Sequence, residues 1–149
     1  MSYNFRMQNL LDLKESIEQE KKEEYGNAVF ELNREEDILE AIFKEKNSAL
    51  ESMETAKGRM DIVCMRRYDL YLRMIADKIE MQENKIEILR VGVEEKKSEM
   101  LKAMVDKKAF EKLKEHGYER FLQEERKAED KVNDSIVTFN IMKKLCSEV

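Results

Sequence analysis

Ala56-Lys57-Gly58-Arg59-Met60-Asp61 is the stretch on which the fold turns. A lysine near a helix end followed by glycine is a stop signal, because glycine takes the left-handed C-cap conformation without a steric penalty. Asp61 can then cap a second helix by accepting from the N–H groups of its first turn. No proline interrupts either side of this break, and none occurs among the 149 residues. Two long helices with one reversal between them are therefore expected.

Downstream of the break, steps of four and three from Tyr68 give Leu72, Ile75, Ile79, Gln82, Ile86, Leu89, Val93, Lys96, Met100, Ala103, Lys107 and Phe110. A heptad stripe sustained this long marks a helix that packs along another helix. It fades after Phe110, where Lys114, Gly117 and Phe121 come next. Upstream, Tyr25, Val29, Leu32, Glu36, Leu39, Phe43, Lys46, Leu50 and Met53 repeat the spacing. Ala28, Ile38, Ile42 and Ala49 widen that stripe, and Leu10, Leu13 and Ile17 extend it beyond a stutter near Lys21–Glu24.

If the chain reverses near residue 59, facing residues have numbers that add to a constant. A sum of about 118 sets Tyr25 against Val93, Leu32 against Ile86, Leu39 against Ile79 and Phe43 against Ile75, and puts Glu36 opposite Gln82, polar against polar. Only Lys46 against Leu72 is mismatched. The expected fold is all-α, a long two-helix antiparallel coiled-coil hairpin with its turn near Gly58. Residues 1–149 form one such unit, with helices over about 4–57 and about 62–145 and a turn at about 58–61. The first helix would be about 80 Å long, and the second would overhang after about residue 115. Val132, Ile136, Val137, Phe139, Ile141, Met142 and Leu145 make that overhang apolar. It either packs back on the hairpin, frays, or docks into another protein as a helix in a groove.

Composition agrees. Charged residues are 41% and hydrophobic residues 42%, a balance suited to helices with a narrow buried stripe and solvated flanks. The net charge of −5 argues against a non-specific nucleic-acid binder, which needs a cationic face. Residues 1–57 hold eight basic and fourteen acidic side chains, which fits an acidic helix paired with a near-neutral one, or a charged docking surface. Cys64 and Cys146 are far apart and without CxxC spacing, as expected of reduced cytosolic thiols. No apolar run reaches the length of about 20 residues that spans a bilayer, and no signal core follows the first residues, so direct membrane insertion is not expected.

Chemistry finds little support. His116 is the single histidine, so a structural zinc site lacks ligands. Glycine-rich phosphate loops are absent, and a thin two-helix rod offers no pocket in which to tune a pKa. No enzyme, catalytic residue, metal or cofactor is expected. Interaction is, because Arg66-Arg67-Tyr68-Asp69-Leu70-Tyr71-Leu72-Arg73 holds more aromatic and arginine side chains than one seam buries. The alternative is that Tyr68 and Leu72 face the seam and Tyr71 widens it.

Phe5-Arg6-Met7-Gln8-Asn9-Leu10-Leu11-Asp12-Leu13-Lys14-Glu15, with Glu18 following, resembles the N-terminus of the flagellar export proteins of the FliJ family. So do Lys107-Lys108-Ala109-Phe110-Glu111-Lys112-Leu113-Lys114-Glu115, then Glu125-Arg126-Lys127-Ala128-Glu129 and Asp134, in that order and spacing. Ser135 departs from the family, which tends to carry an acidic residue there. The resemblance implies a hairpin similar to the coiled-coil stalk of a rotary ATP synthase. It implies a cytoplasmic stalk and general chaperone of the flagellar type III export apparatus, held at the inner face of the membrane through its partners. Those partners would be the export ATPase hexamer, whose assembly it promotes, the cytoplasmic domain of the export gate, and the export chaperones. By position, the ATPase end would use Leu10, Leu13, Ile17, Phe110 and Leu113, and the gate side Ile42, Tyr71, Ile75 and Gln82. A type III injectisome stalk, or a self-associating structural coiled coil with helix unbroken through Gly58, are the alternatives. A prefoldin-like holdase would need an apolar tip, whereas Lys57, Arg59 and Asp61 make this one polar.

Overall fold

The computed structural model describes residues 2–148 and contains two helices, α1 (Gln8–Thr55) and α2 (Ile62–Ser147), with no strand among the described residues. They pack against each other as an antiparallel hairpin, the expected all-α fold. Its first helix starts at Gln8, whose backbone N–H donates to the Phe5 carbonyl (3.1 Å) in the preceding turn.

The reversal follows the chemistry of the stop signal. Gly58 sits at φ 90°, a conformation that a side chain resists, and the Arg59 N–H closes the turn on the Ala56 carbonyl (3.0 Å). Asp61 then caps α2: its Oδ1 accepts from the Cys64 N–H at 2.8 Å. A helix unbroken through Gly58 is thereby excluded, and with it the straight rod that a parallel structural dimer would need.

Two compact units make up the chain, Glu18–Ala103 and Met1–Ile17 with Met104–Val149. In the unit Glu18–Ala103, the half-buried and buried side of α2 is the expected stripe, Tyr68, Leu72, Ile75, Ile79, Gln82, Ile86, Leu89, Val93, Lys96, Met100 and Ala103. The seam of α1 differs from expectation. It runs Glu18, Lys21, Tyr25, Ala28, Leu32, Glu35, Leu39, Ile42, Lys46, Ala49 and Met53, in unbroken steps of three and four. Phe43 and Leu50, expected in the seam, are turned outward.

Both α1 stripes have heptad spacing and share Tyr25, Leu32, Leu39, Lys46 and Met53, so bulk alone favoured the wrong alternate set. Two features of the observed set explain the rotation. Ala28 and Ala49 are small enough to let the backbones approach, and Glu35 meets a polar partner on α2. The stutter expected near Lys21–Glu24 is no break in spacing: the seam is simply charged there. The polar layer therefore pairs Gln82 with Glu35, while Glu36 lies at the flank and accepts from Arg90 (3.4 Å).

In the other unit, the α2 stripe continues past Phe110 through half-buried Lys114, Gly117 and Phe121. The cause is Tyr3, whose ring lies 5.6 Å edge-on from Tyr118 and 5.5 Å from Phe121. A Cβ at Gly117 would overlap the Tyr3 hydroxyl oxygen, so glycine leaves the space that the ring occupies. Every described residue from 126 onward is exposed. The apolar overhang is thus helical, and it does not pack back on the hairpin.

Candidate partner-binding surfaces

The residues expected at the ATPase end all lie in the unit Met1–Ile17 with Met104–Val149, and those expected on the gate side all lie in Glu18–Ala103. In the first set, Leu10 (46% exposed), Leu13 (53%) and Leu113 (49%) project from the helices, while Ile17 and Phe110 are half-buried. Leu11 between them is buried, which fixes the α1 face: when Leu11 points in, Leu10 and Leu13 point away. Lys14 lies 3.9 Å from Asp106 and ties the helices at this level.

The gate-side set is mostly seam. Ile75 has no exposed surface, and Ile42 is half-buried in the α1 stripe. Gln82 donates from Nε2 both to the Glu35 carboxylate (2.6 Å) and to its backbone carbonyl (2.9 Å), while Lys85 Nζ donates to the other carboxylate oxygen at 2.9 Å. These bonds, from Gln82 first and Lys85 second, hold the Glu35 carboxyl below its ordinary value of 4.5. Tyr71 stands at the seam's edge, where its hydroxyl donates to Glu45 (2.5 Å); that bond raises the phenol pKa. Tyr68 and Leu72 face the seam, so the aromatic and arginine segment is partly absorbed by packing. Leu70 is not, being 65% exposed.

Four charges brace the seam further along. Lys21 and Lys96 both reach Glu24 (3.3 Å each) and Glu99 (3.3 and 3.7 Å), so that each charge has two opposite neighbours. Glu24 is held below the ordinary carboxylate value by Lys21 and then Lys96, and Lys21 is raised by Glu99 and then Glu24. No buried side-chain polar atom among the described residues lacks a partner. The bonds of Gln82 and Lys85 to Glu35, and of Lys21 and Lys96 to Glu24 and Glu99, select one register, because a slipped pairing would strand these groups.

Two of these features lay outside the sequence reading. Within the acidic run Glu35-Glu36-Asp37, which reads as a solvated face, Glu35 is buried against Gln82 and Lys85, and Gln82 on α2 is the signal that a polar partner is due. Tyr3 was not weighed at all; the glycine flanked by aromatics at 117–121 was the available clue.

The tail leaves a long run of apolar side chains uncovered. Val132, Ile136, Val137, Phe139, Ile141, Met142 and Leu145 are all more than half exposed along one helix. Their turns place Val132, Ile136, Phe139 and Met142 on one side and Val137, Ile141 and Leu145 on the opposite side, with Asn133, Asn140 and Lys144 between them on one flank and Thr138 on the other. His116 is exposed, 3.7 Å from Glu119. Among the described residues no His, Cys, Asp and Glu cluster could hold a metal, and no helix is long and apolar enough to cross a membrane.

The family model described as flagellar FliJ protein covers residues 3–145. No curated protein and no solved structure matches.

Proposed function

This chain belongs to the flagellar FliJ protein family, and on that premise we propose that it is a non-catalytic, cytoplasmic component of the flagellar type III export apparatus, serving as stalk and general chaperone. It binds the export ATPase and promotes assembly of the hexameric ring, contacts the cytoplasmic domain of the export gate, and serves the export chaperones. The observation that carries this reading is the tail, a helix apolar on two opposite sides with nothing covering either. A helix of that kind suits an enclosing partner, because a one-sided groove would leave half its apolar surface wet.

The ATPase end comprises the tail with Leu10, Leu13, Ile17, Phe110 and Leu113. Leu10, Leu13 and Leu113 supply exposed contact surface, and Ile17 and Phe110 support them from half-buried positions. On the gate side Tyr71 is the residue a partner touches. Ile42, Ile75 and Gln82 act beneath it by keeping the seam closed and in register.

The test is the ATP hydrolysis rate and oligomeric state of the same organism's flagellar export ATPase, with and without this protein. Stimulation with ring formation is expected, and it should disappear when residues 1–17 or those beyond Phe110 are removed. Helical protein that neither binds nor stimulates would overturn the assignment.

A further inference from the structure

Opposite its seam, α2 carries a second heptad stripe. It runs Val63, Arg67, Leu70, Met74, Asp77, Met81, Asn84, Ile88, Val91 and Glu95, again in steps of four and three. All ten are exposed, and the six apolar members range from 47% exposed at Met74 to 73% at Met81 and Ile88. The hairpin does not use this face, and every residue lies in the unit Glu18–Ala103.

The order of residue types along the stripe identifies what fits it. Read backwards about Met81, the stripe matches itself: Ile88 falls against Met74, Asn84 against Asp77, Val91 against Leu70, and Glu95 against Arg67. The flank repeats the pattern, with Arg73 against Glu87 and Arg66 against Glu94. Apolar layers meet apolar ones, the polar layer meets the polar layer, and three arginines each meet a glutamate. A helix face with this palindrome is complementary to its own copy related by a two-fold axis.

We propose that this face of α2 binds the same face of a second copy of the chain, antiparallel, with the two-fold axis at Met81. Two hairpins then join through an isologous seam of about four heptads, with arginines of one copy near the turn lying over glutamates of the other. Glu80 is the cost of the arrangement, since it flanks the axis and meets its own copy. Lys78 also faces Lys85, whose charge is already held by Glu35. A seam this short, with five apolar side chains from each copy (Leu70, Met74, Met81, Ile88 and Val91, Val63 lying beyond the matched stretch), gives an association that is reversible and concentration-dependent.

The test uses the full chain with Cys64 and Cys146 replaced by serine. In that background Met81→Cys should form a disulfide-linked dimer under mild oxidation, because the two copies of position 81 adjoin. Arg67→Cys should not, because antiparallel copies of position 67 lie about 42 Å apart, 28 residues at 1.5 Å each. In the unaltered chain, sedimentation should show a dimer that Met81→Glu reduces to single chains. Arg73→Glu or Glu87→Arg alone should weaken association about tenfold or more, and the two together should restore it. Glu80→Gln should tighten it. These sites are exposed, so the hairpin's helicity should not change, and circular dichroism checks that point. Single chains at all concentrations would overturn the proposal, as they would if the face serves another protein. So would cross-linking through Arg67→Cys, or a dimer that survives Met81→Glu.

Discussion

Replacing Ile75 by alanine removes three carbons from a side chain that has no exposed surface. At about 0.8 kcal/mol per buried carbon, the transfer loss is about 2.4 kcal/mol. The cavity adds to this, bringing the expected cost to about 3 kcal/mol, within the usual range for such truncations. A two-helix seam is thin and can partly close or take in water, so the cost should not exceed that figure. Ile62→Ala makes the same chemical change at a side chain 74% exposed, and should shift stability by less than about 0.5 kcal/mol. Urea unfolding followed by circular dichroism at 222 nm (a wavelength at which helix is read) measures both. With a slope of about 1.5 kcal/mol per molar, the midpoint should fall by about 2 M for Ile75→Ala and by less than about 0.4 M for Ile62→Ala. Equal shifts, or a stable Ile75→Ala that loses only gate binding, would refute the placement of Ile75 in the seam and its supporting role.

Glycine substitutions should separate by position. A Cβ at Gly26 or Gly92 meets nothing within 4 Å, so alanine there should stabilise the helix by up to about 1 kcal/mol. Gly117→Ala should show that gain only when Tyr3 is also replaced by alanine, and a double-mutant cycle on melting temperature reads the coupling. Gly58→Ala should cost about 1–2 kcal/mol, since φ 90° strains a side chain, and an unchanged melt would refute the turn geometry. Glu24 and Glu35 have pKa values below the ordinary 4.5, so their contribution is complete above that pH and lost as pH falls through the lower folded values. The melting temperature should therefore drop on acidification below pH 4.5, and less steeply in Glu35→Gln.

The reversal and the α2 stripe were legible in the sequence because each rests on local chemistry: Gly58 at a stop, Asp61 at a cap, and an apolar heptad with few competitors. The α1 face was not, for a physical reason. Phe43 and Leu50 are bulkier than Ile42 and Ala49 and share their spacing, so a rule that buries the larger residue rotates the helix the wrong way. Only the partner decides, and it does so through the Gln82–Glu35 bonds and the room that two alanines leave. Of the candidate surfaces, Leu113 and the tail could be placed from periodicity, since they fall off the stripe; Leu10 and Leu13 could not, because the apolar spacing carries the stripe through them and Leu11 takes the buried place instead. Ile75 and Gln82 fall on the seam, and a positional analogy could not tell a touching residue from a supporting one.

The uncovered tail also bears on how long a copy of the chain survives. A lone helix gains little from its own backbone bonds, so its last turns open at small cost and present Phe139 and Leu145 to proteases that favour apolar sites. Any partner that encloses the segment suppresses those openings in proportion to its occupancy. Docked copies would then outlive free ones, and turnover would trim the cellular supply to the number of available seats.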